Sequence, residues 1–261
     1  MSKNNEFGFS KTTKTNICLE ESVADNPYVC EKQYLSGYNT LDLVTQKGFV
    51  DVLLLLFKLE LPDPDDRKLL ESLMIGMINP GPRHPATKAA MSVGISKANA
   101  EHILPISLSV VGGARGGAGE VSQAYSYIKD NSLNDIETLS PVYDLDTEDR
   151  FAPGFGRTFG QNDAYVTSLA NTLRENCKTG DYFNWSMELS ERLSSNSAGI
   201  LDIGLAAAVF CDLDLGVRES AALYQFLRAP GLLAHGLEQT HRPINDIPLL
   251  EDSHYVYSNS K

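Results

Sequence analysis

Asp202 lies in GILDIGLAAAVF, residues 199–210, among side chains that bury readily. A carboxylate is costly in such company unless it is paired. Two roles fit the pattern: capping the start of the apolar helix that follows, or acting as an acid–base group on which cations converge. His84 stands directly before Pro85, and proline suits the first turn of a helix. The imidazole is therefore expected at or beside an N-cap, where free backbone N–H groups attract an anion and favour the neutral ring. A loop histidine without a role is the plain alternative. Arg115 interrupts VVGGARGGAGEVSQA, residues 110–124, and Arg157 closes the glycine turn of APGFGRTFG, residues 152–160.

The first glycine run is not a nucleotide loop. A phosphate loop needs Lys and then Ser or Thr after its last glycine, and a dinucleotide loop needs a preceding strand. Here Glu120 and Val121 follow, and an acid repels phosphate. Small residues at this density instead let helices, or a helix and a ligand, approach closely. The arginines also limit the chemistry. Guanidinium has five donors, no acceptor and a permanent charge, so it stabilises an enolate or grips a carboxylate but shuttles no proton. Cys18, Cys30, Cys177 and Cys211 are scattered, without a CxxC pair or a neighbouring histidine, so reduced thiols and no metal site are expected.

These residues need a helical frame. Residues 1–36 are polar and mixed, and read as an extended arm or a strand or two. From Asn39, LDLVTQKGFVDVLLLLFKLELP has apolar residues at three- and four-residue intervals until Pro62. DPDDRKLLESLMIGMIN opens with the acids that suit a helix start. Further helices are legible in SKANAEHILPISLSVV, GAGEVSQAYSYIKDN, AYVTSLANTLREN, FNWSMELSERL, ILDIGLAAAVFCDLDL, RESAALYQFLR and GLLAHGLEQT, and strand signals after residue 40 are weak. The class is all-α. EDSHYVYSNSK reads as a polar tail reaching toward a partner. A net charge of −12 argues against nucleic-acid binding. The longest apolar run, VDVLLLLF, is far short of the roughly 20 residues of a membrane span. With no apolar leader in MSKNNEFGFSKTTKTN, a cytoplasmic protein is expected.

From about residue 37 to 257 the order of motifs resembles citrate synthase, and more nearly its compact relatives, citryl-CoA lyase and the C-terminal module of ATP-citrate lyase. GYNTLDLVTQKGFVDVLLLLFKLELP is similar to the family's early Gly-Tyr, apolar helix and Leu-Pro. RHPATKAA resembles its histidine-led helix start, GGARGGAGE its His-Gly-Gly-Ala motif and PGFGRTFG its Gly-His-Arg loop. LDIGLAAAVF and LRAPGLLAHGLEQTHRP resemble its aspartate and arginine segments. The resemblance implies a helical fold with an N-terminal arm at 1–36, a large domain of 37–117 and 190–257, and a reduced small domain at 118–189. It also implies Asp202 as the base toward an acyl thioester, with His84, Arg228 and Arg242 holding an oxo-acid. Arg242 would be offered across a homodimer. Phe155 and Gly156 become the positions expected to meet CoA, a co-substrate rather than a permanently bound cofactor. Arg115 and Arg157 stand where the family has two catalytic imidazoles.

Two readings follow. In one, the protein makes or breaks a C–C bond between an acyl-CoA and an oxo-carboxylate, and the added arginines suit a polycarboxylate or otherwise altered substrate. In the other, catalysis is lost and the fold serves as a carboxylate-binding or regulatory partner. A third arrangement closes the site, with Arg115 and Arg157 in ion pairs with Glu120, Asp163 or Asp202. The first reading hangs on one expectation: Arg115, Arg157 and Arg228 surround the carboxylate of Asp202 in a shared hollow.

Overall fold

In the computed structural model, which describes residues 12–246, the chain begins with an antiparallel meander and is helical thereafter. The meander joins β1 (Thr12–Lys14), β2 (Cys18–Val23), β3 (Asn26–Leu35) and β4 (Tyr38–Asn39) in that order. Three of these strands fall within residues 1–36, where an extended arm or a strand or two was expected. Then come α1 (Thr40–Gln46), α2 (Phe49–Lys58), α3 (Pro64–Met77), α4 (Pro85–Ile95), α5 (Ile103–Val111), α6 (Ala118–Asn131) and the short α7 (Leu145–Glu148). The remainder is β5 (Arg150–Ala152), β6 (Phe155–Gly156), α8 (Ala164–Asn176), α9 (Asp181–Leu193), β7 (Gly199–Ile200), α10 (Asp202–Asp212) and α11 (Val217–Gln239). The expected tail, EDSHYVYSNSK, lies outside the described residues. No described helix is long and apolar enough to cross a membrane.

Local chemistry sets the helix limits. The run after Asn39 is two helices because Gly48 starts α2, with Asp51 Oδ2 accepting the Gly48 N–H at 2.8 Å. Asp63 caps α3 by accepting from Asp65 and Asp66, and Pro64 follows it. RESAALYQFLR and GLLAHGLEQT, expected as separate helices, form the single α11 with Pro230 inside. Proline removes one ladder hydrogen bond. Here the adjoining Gly231 N–H turns to the Ile78 carbonyl at 3.1 Å, beyond the end of α3. The break is thus tied to a neighbouring helix.

One apolar cluster runs through α2–α6 and α8–α11. The segment 118–189, expected as a reduced small domain, contributes α6 and α9 to this same core, both packed on α10. Residues Ile203 to Cys211 of α10 are all buried. Each large apolar side chain so buried contributes roughly 1.5–3 kcal/mol. Two close backbone approaches position the site. A Cβ on Gly94 of α4 would lie 2.0 Å from the Gly236 carbonyl oxygen of α11, so only glycine permits that crossing. Gly154, at φ +82°, packs on Gly204 of α10, while the Leu201 N–H donates to its carbonyl at 2.9 Å. Asp202 therefore emerges from β7 pinned against the second glycine turn.

Candidate functional site

A cavity of about 840 Å³ opens beside Asp202. Its walls come from the α3–α4 turn, the first glycine loop, the segment leading into α8, and the starts of α10 and the α11 break. His84, Arg115, Asp202 and Arg228 all line it, and so do Arg83, Arg150 and Asp163. The third arrangement, with Arg115 and Arg157 paired to Glu120, Asp163 or Asp202 and the site closed, is not formed.

Asp202 is the first residue of α10, and Leu201 before it makes no side-chain cap. Its Oδ1 accepts the Ile203 N–H at 2.9 Å. Its Oδ2 accepts both the Tyr224 hydroxyl, at 3.0 Å, and the Arg228 guanidinium. A carboxylate offers about four lone-pair positions. Oδ2 is therefore saturated, while Oδ1 keeps one position open in a side chain that is 32% exposed. Burial, and then the charge of Asp202, raises Tyr224 far above the usual phenol range, so it stays a donor. Burial works against the charge of Arg228, but Tyr224 and Asp202 outweigh it and raise its pKa. Arg228 also donates to Tyr224 Oη and to the Met77 carbonyl, both at 3.1 Å. Its Nη1 and Nη2 thus hold Asp202, Tyr224 and α3, while its buried Nε has no partner among the described residues.

His84 is the N-cap of α4, with Pro85 at the first helical position. Its Nδ1 accepts the Ala86 N–H at 3.1 Å, so the proton of the neutral ring lies on Nε2. Burial is the main force lowering its pKa; Asp202 opposes this and Arg228 adds to it. The neutral ring faces the Gly116 carbonyl.

Arg115 reaches the cavity wall, but its guanidinium pairs with Glu148 at 2.5 Å, lies over the Tyr143 ring and is half exposed. The anticipated ring of three cations around Asp202 is not formed: Arg228 alone of the three bonds to it. Arg150 also lines the cavity, and its Nε donates to the buried Glu120 at 2.9 Å. Glu120 also accepts the Gly116 N–H at 2.6 Å, so one carboxylate fastens both glycine turns. Among the described residues no three His, Cys, Asp or Glu side chains form a metal-holding group.

No protein-family model matches this sequence, and no curated protein does. The fold finds clear counterparts. Citryl-CoA lyase from Hydrogenobacter thermophilus superposes with a TM-score of 0.71 at 20% identity, covering 95% of each chain. ATP citrate lyase from Methanothrix soehngenii, solved with citrate and coenzyme A, gives 0.68 at 17% identity over 93% of this chain and 42% of its own. Citrate synthase from Thermoplasma acidophilum, in a ternary complex with carboxymethyl coenzyme A and oxaloacetate, gives 0.57 at 12% over 82% and 58%. The fold is that of citrate synthase.

Within this citrate synthase-like fold, several expected site residues lie elsewhere. Arg157 points away from the cavity: it donates to the Asn196 carbonyl at 2.9 Å and pairs with Asp146 at 3.2 Å. Arg242, expected to serve the partner's site in a dimer, pairs with Glu238 one turn back on the surface of its own chain. Phe155 is wholly buried against Tyr127 and Trp185, and Gly156 has Asp149 O where a Cβ would go. Neither of these two lines the cavity. Tyr224, Arg150 and Arg83 were missed, and Glu120 was foreseen only as a partner of Arg115 or Arg157, not of Arg150. Tyr224 lies one turn before Arg228, a spacing that could have flagged it. Arg83 sits beside His84 in the helix-leading motif. The Glu120–Arg150 pair is separated by 30 positions and left no local trace.

Proposed function

We propose that this protein makes or breaks a C–C bond between an acyl-CoA thioester and an oxo-carboxylate, with Asp202 as the base. The observation that carries the reading is the Asp202 carboxylate, fixed by three donors and presenting one open lone pair on Oδ1 to a cavity. Oδ1 takes a proton from the carbon next to the thioester. That carbon then bonds to the keto carbon, whose oxygen becomes an alkoxide and is protonated; hydrolysis of the thioester releases thiol, and the cleavage direction reverses the bond-forming step. The Nε2–H of neutral His84, turned to the Gly116 carbonyl, would swing to the developing oxygen charge when substrate binds. Arg115 contributes positive potential at the rim. The solved neighbours supply the substrate classes, since their complexes contain citrate, coenzyme A and oxaloacetate. CoA would come and go as a co-substrate.

The test combines acetyl-CoA with a panel of 2-oxo acids and follows both condensed product, by mass spectrometry, and free thiol. Product that disappears in Asp202→Ala supports the enzyme. No product from any pair, with carboxylate binding retained, establishes the binding-partner reading, which the tying of Arg115 and Arg157 to Glu148 and Asp146 favours. The proposal includes a homodimer, supported by Ile106 and Val110, which stay exposed on the apolar α5. A single monomer species in sedimentation at micromolar concentration contradicts it. The proposed location is cytoplasmic, in keeping with four free thiols.

A further inference from the structure

We infer that the ligand carrying the carboxylate has one such group and an apolar chain, with Arg83 holding the carboxylate and Phe159 covering the chain. This rests on the site reading above and narrows its oxo-acid. The first support is the pairing of charges. Four guanidiniums line the cavity, and three already have carboxylates: Arg228 with Asp202, Arg150 with Glu120, and Arg115 with Glu148. Arg83 is exposed and makes no hydrogen bond or ion pair among the described residues. Asp163 adds a further negative group to the lining. A di- or tricarboxylate would bring several charges to a wall with one unmatched cation. The polycarboxylate expected from the arginine count is therefore replaced by a monocarboxylate.

The second support is the mouth. Thr158 and Gln161 exchange backbone hydrogen bonds at 2.7 and 3.3 Å around a two-residue turn, with Phe159 at φ +51° and Gly160 at φ +77°. A turn with two positive φ angles favours Asn, Asp or Gly at its first central position. Phenylalanine is strained there, and this one is also 88% exposed while lining the cavity. Seven non-glycine residues among the described ones have positive φ, and of these Phe159 alone lines the cavity. Beyond Phe159, Met77, Val166, Leu169 and Leu201 make an apolar wall. Tyr165 joins them with its hydroxyl already donated to the Gly76 carbonyl at 2.7 Å. An alkyl chain against this wall would bury the Phe159 ring.

The test is calorimetric titration of the full chain with pyruvate, 2-oxobutyrate, 2-oxohexanoate, oxaloacetate and citrate. Affinity is expected to rise about fourfold per methylene along the monocarboxylates. Phe159→Ala should flatten that slope, and Arg83→Gln should weaken every monocarboxylate about tenfold. Both side chains are exposed, so the variants should keep the fold, which circular dichroism checks. Tighter binding of citrate or oxaloacetate than of 2-oxohexanoate overturns the inference. So does an unchanged slope in Phe159→Ala, or no binding by any probe. Because binding is measured without turnover, a monocarboxylate preference in an inactive protein would sink the enzyme reading and leave this one standing.

Discussion

Asp202, Tyr224 and Arg228 act as one unit, so removing any of them leaves a buried polar group short of a partner. Tyr224→Phe takes a donor from Asp202 and an acceptor from Arg228, and should destabilise the fold by about 1–3 kcal/mol in urea titration. Arg157→Gln, by contrast, should leave kcat/KM with the best substrate pair unchanged, because its partners are Asn196 and Asp146 on the far side of the turn. His84 supplies a pH signature. Its pKa lies below the ordinary 6.5, so the unfolded chain binds its proton more readily. Its contribution to stability is complete above that value and is lost as pH falls through the folded-state pKa. In His84→Asn the amide oxygen still accepts the Ala86 N–H but does not titrate. Unfolding free energies between about pH 7 and pH 5 should therefore fall less steeply in the variant; equal slopes count against a buried neutral ring. His84 was legible because Pro85 marks the helix start. Arg83 and Tyr224 were not, because their significance depends on what lies across the cavity.

The helices that carry these side chains are aligned by glycine. α4 brings His84 and α11 brings Arg228, and the two cross where Gly94 meets Gly236. Gly94→Ala places a methyl group against backbone that cannot move aside, so it should cost about 1–3 kcal/mol and lower Tm. It should also weaken carboxylate binding, since the two walls of the cavity separate together. An unchanged Tm would show that the crossing has slack. The existence of most helices was readable from apolar spacing. The continuity of α11 was not: Pro230 signals an end, and only the Ile78 carbonyl, over 150 positions earlier in the chain, receives the N–H beside it. The same limit hid the Glu120–Arg150 tie between the glycine turns.

The molecule as a whole places its acid at the start of its most deeply buried helix, so the floor of the cavity is also the end of the core. Motif order along the chain carried enough information to reach the citrate synthase-like fold. It did not carry the site, because Arg115 and Arg157 were judged by the motif positions they occupy, and their guanidiniums are directed by acids elsewhere, Glu148 and Asp146. What is left of the expected constellation is the pairing of Asp202 with Arg228, beside a neutral His84. The most direct measurement is hydrogen exchange at the α-carbon of acetyl-CoA in D2O, followed by NMR with a 2-oxo acid present. Deuterium should enter faster than in buffer alone, and the rate should fall about 10²–10⁴-fold in Asp202→Asn. Exchange no faster than in buffer, or equally fast in the variant, would contradict Asp202 as the base.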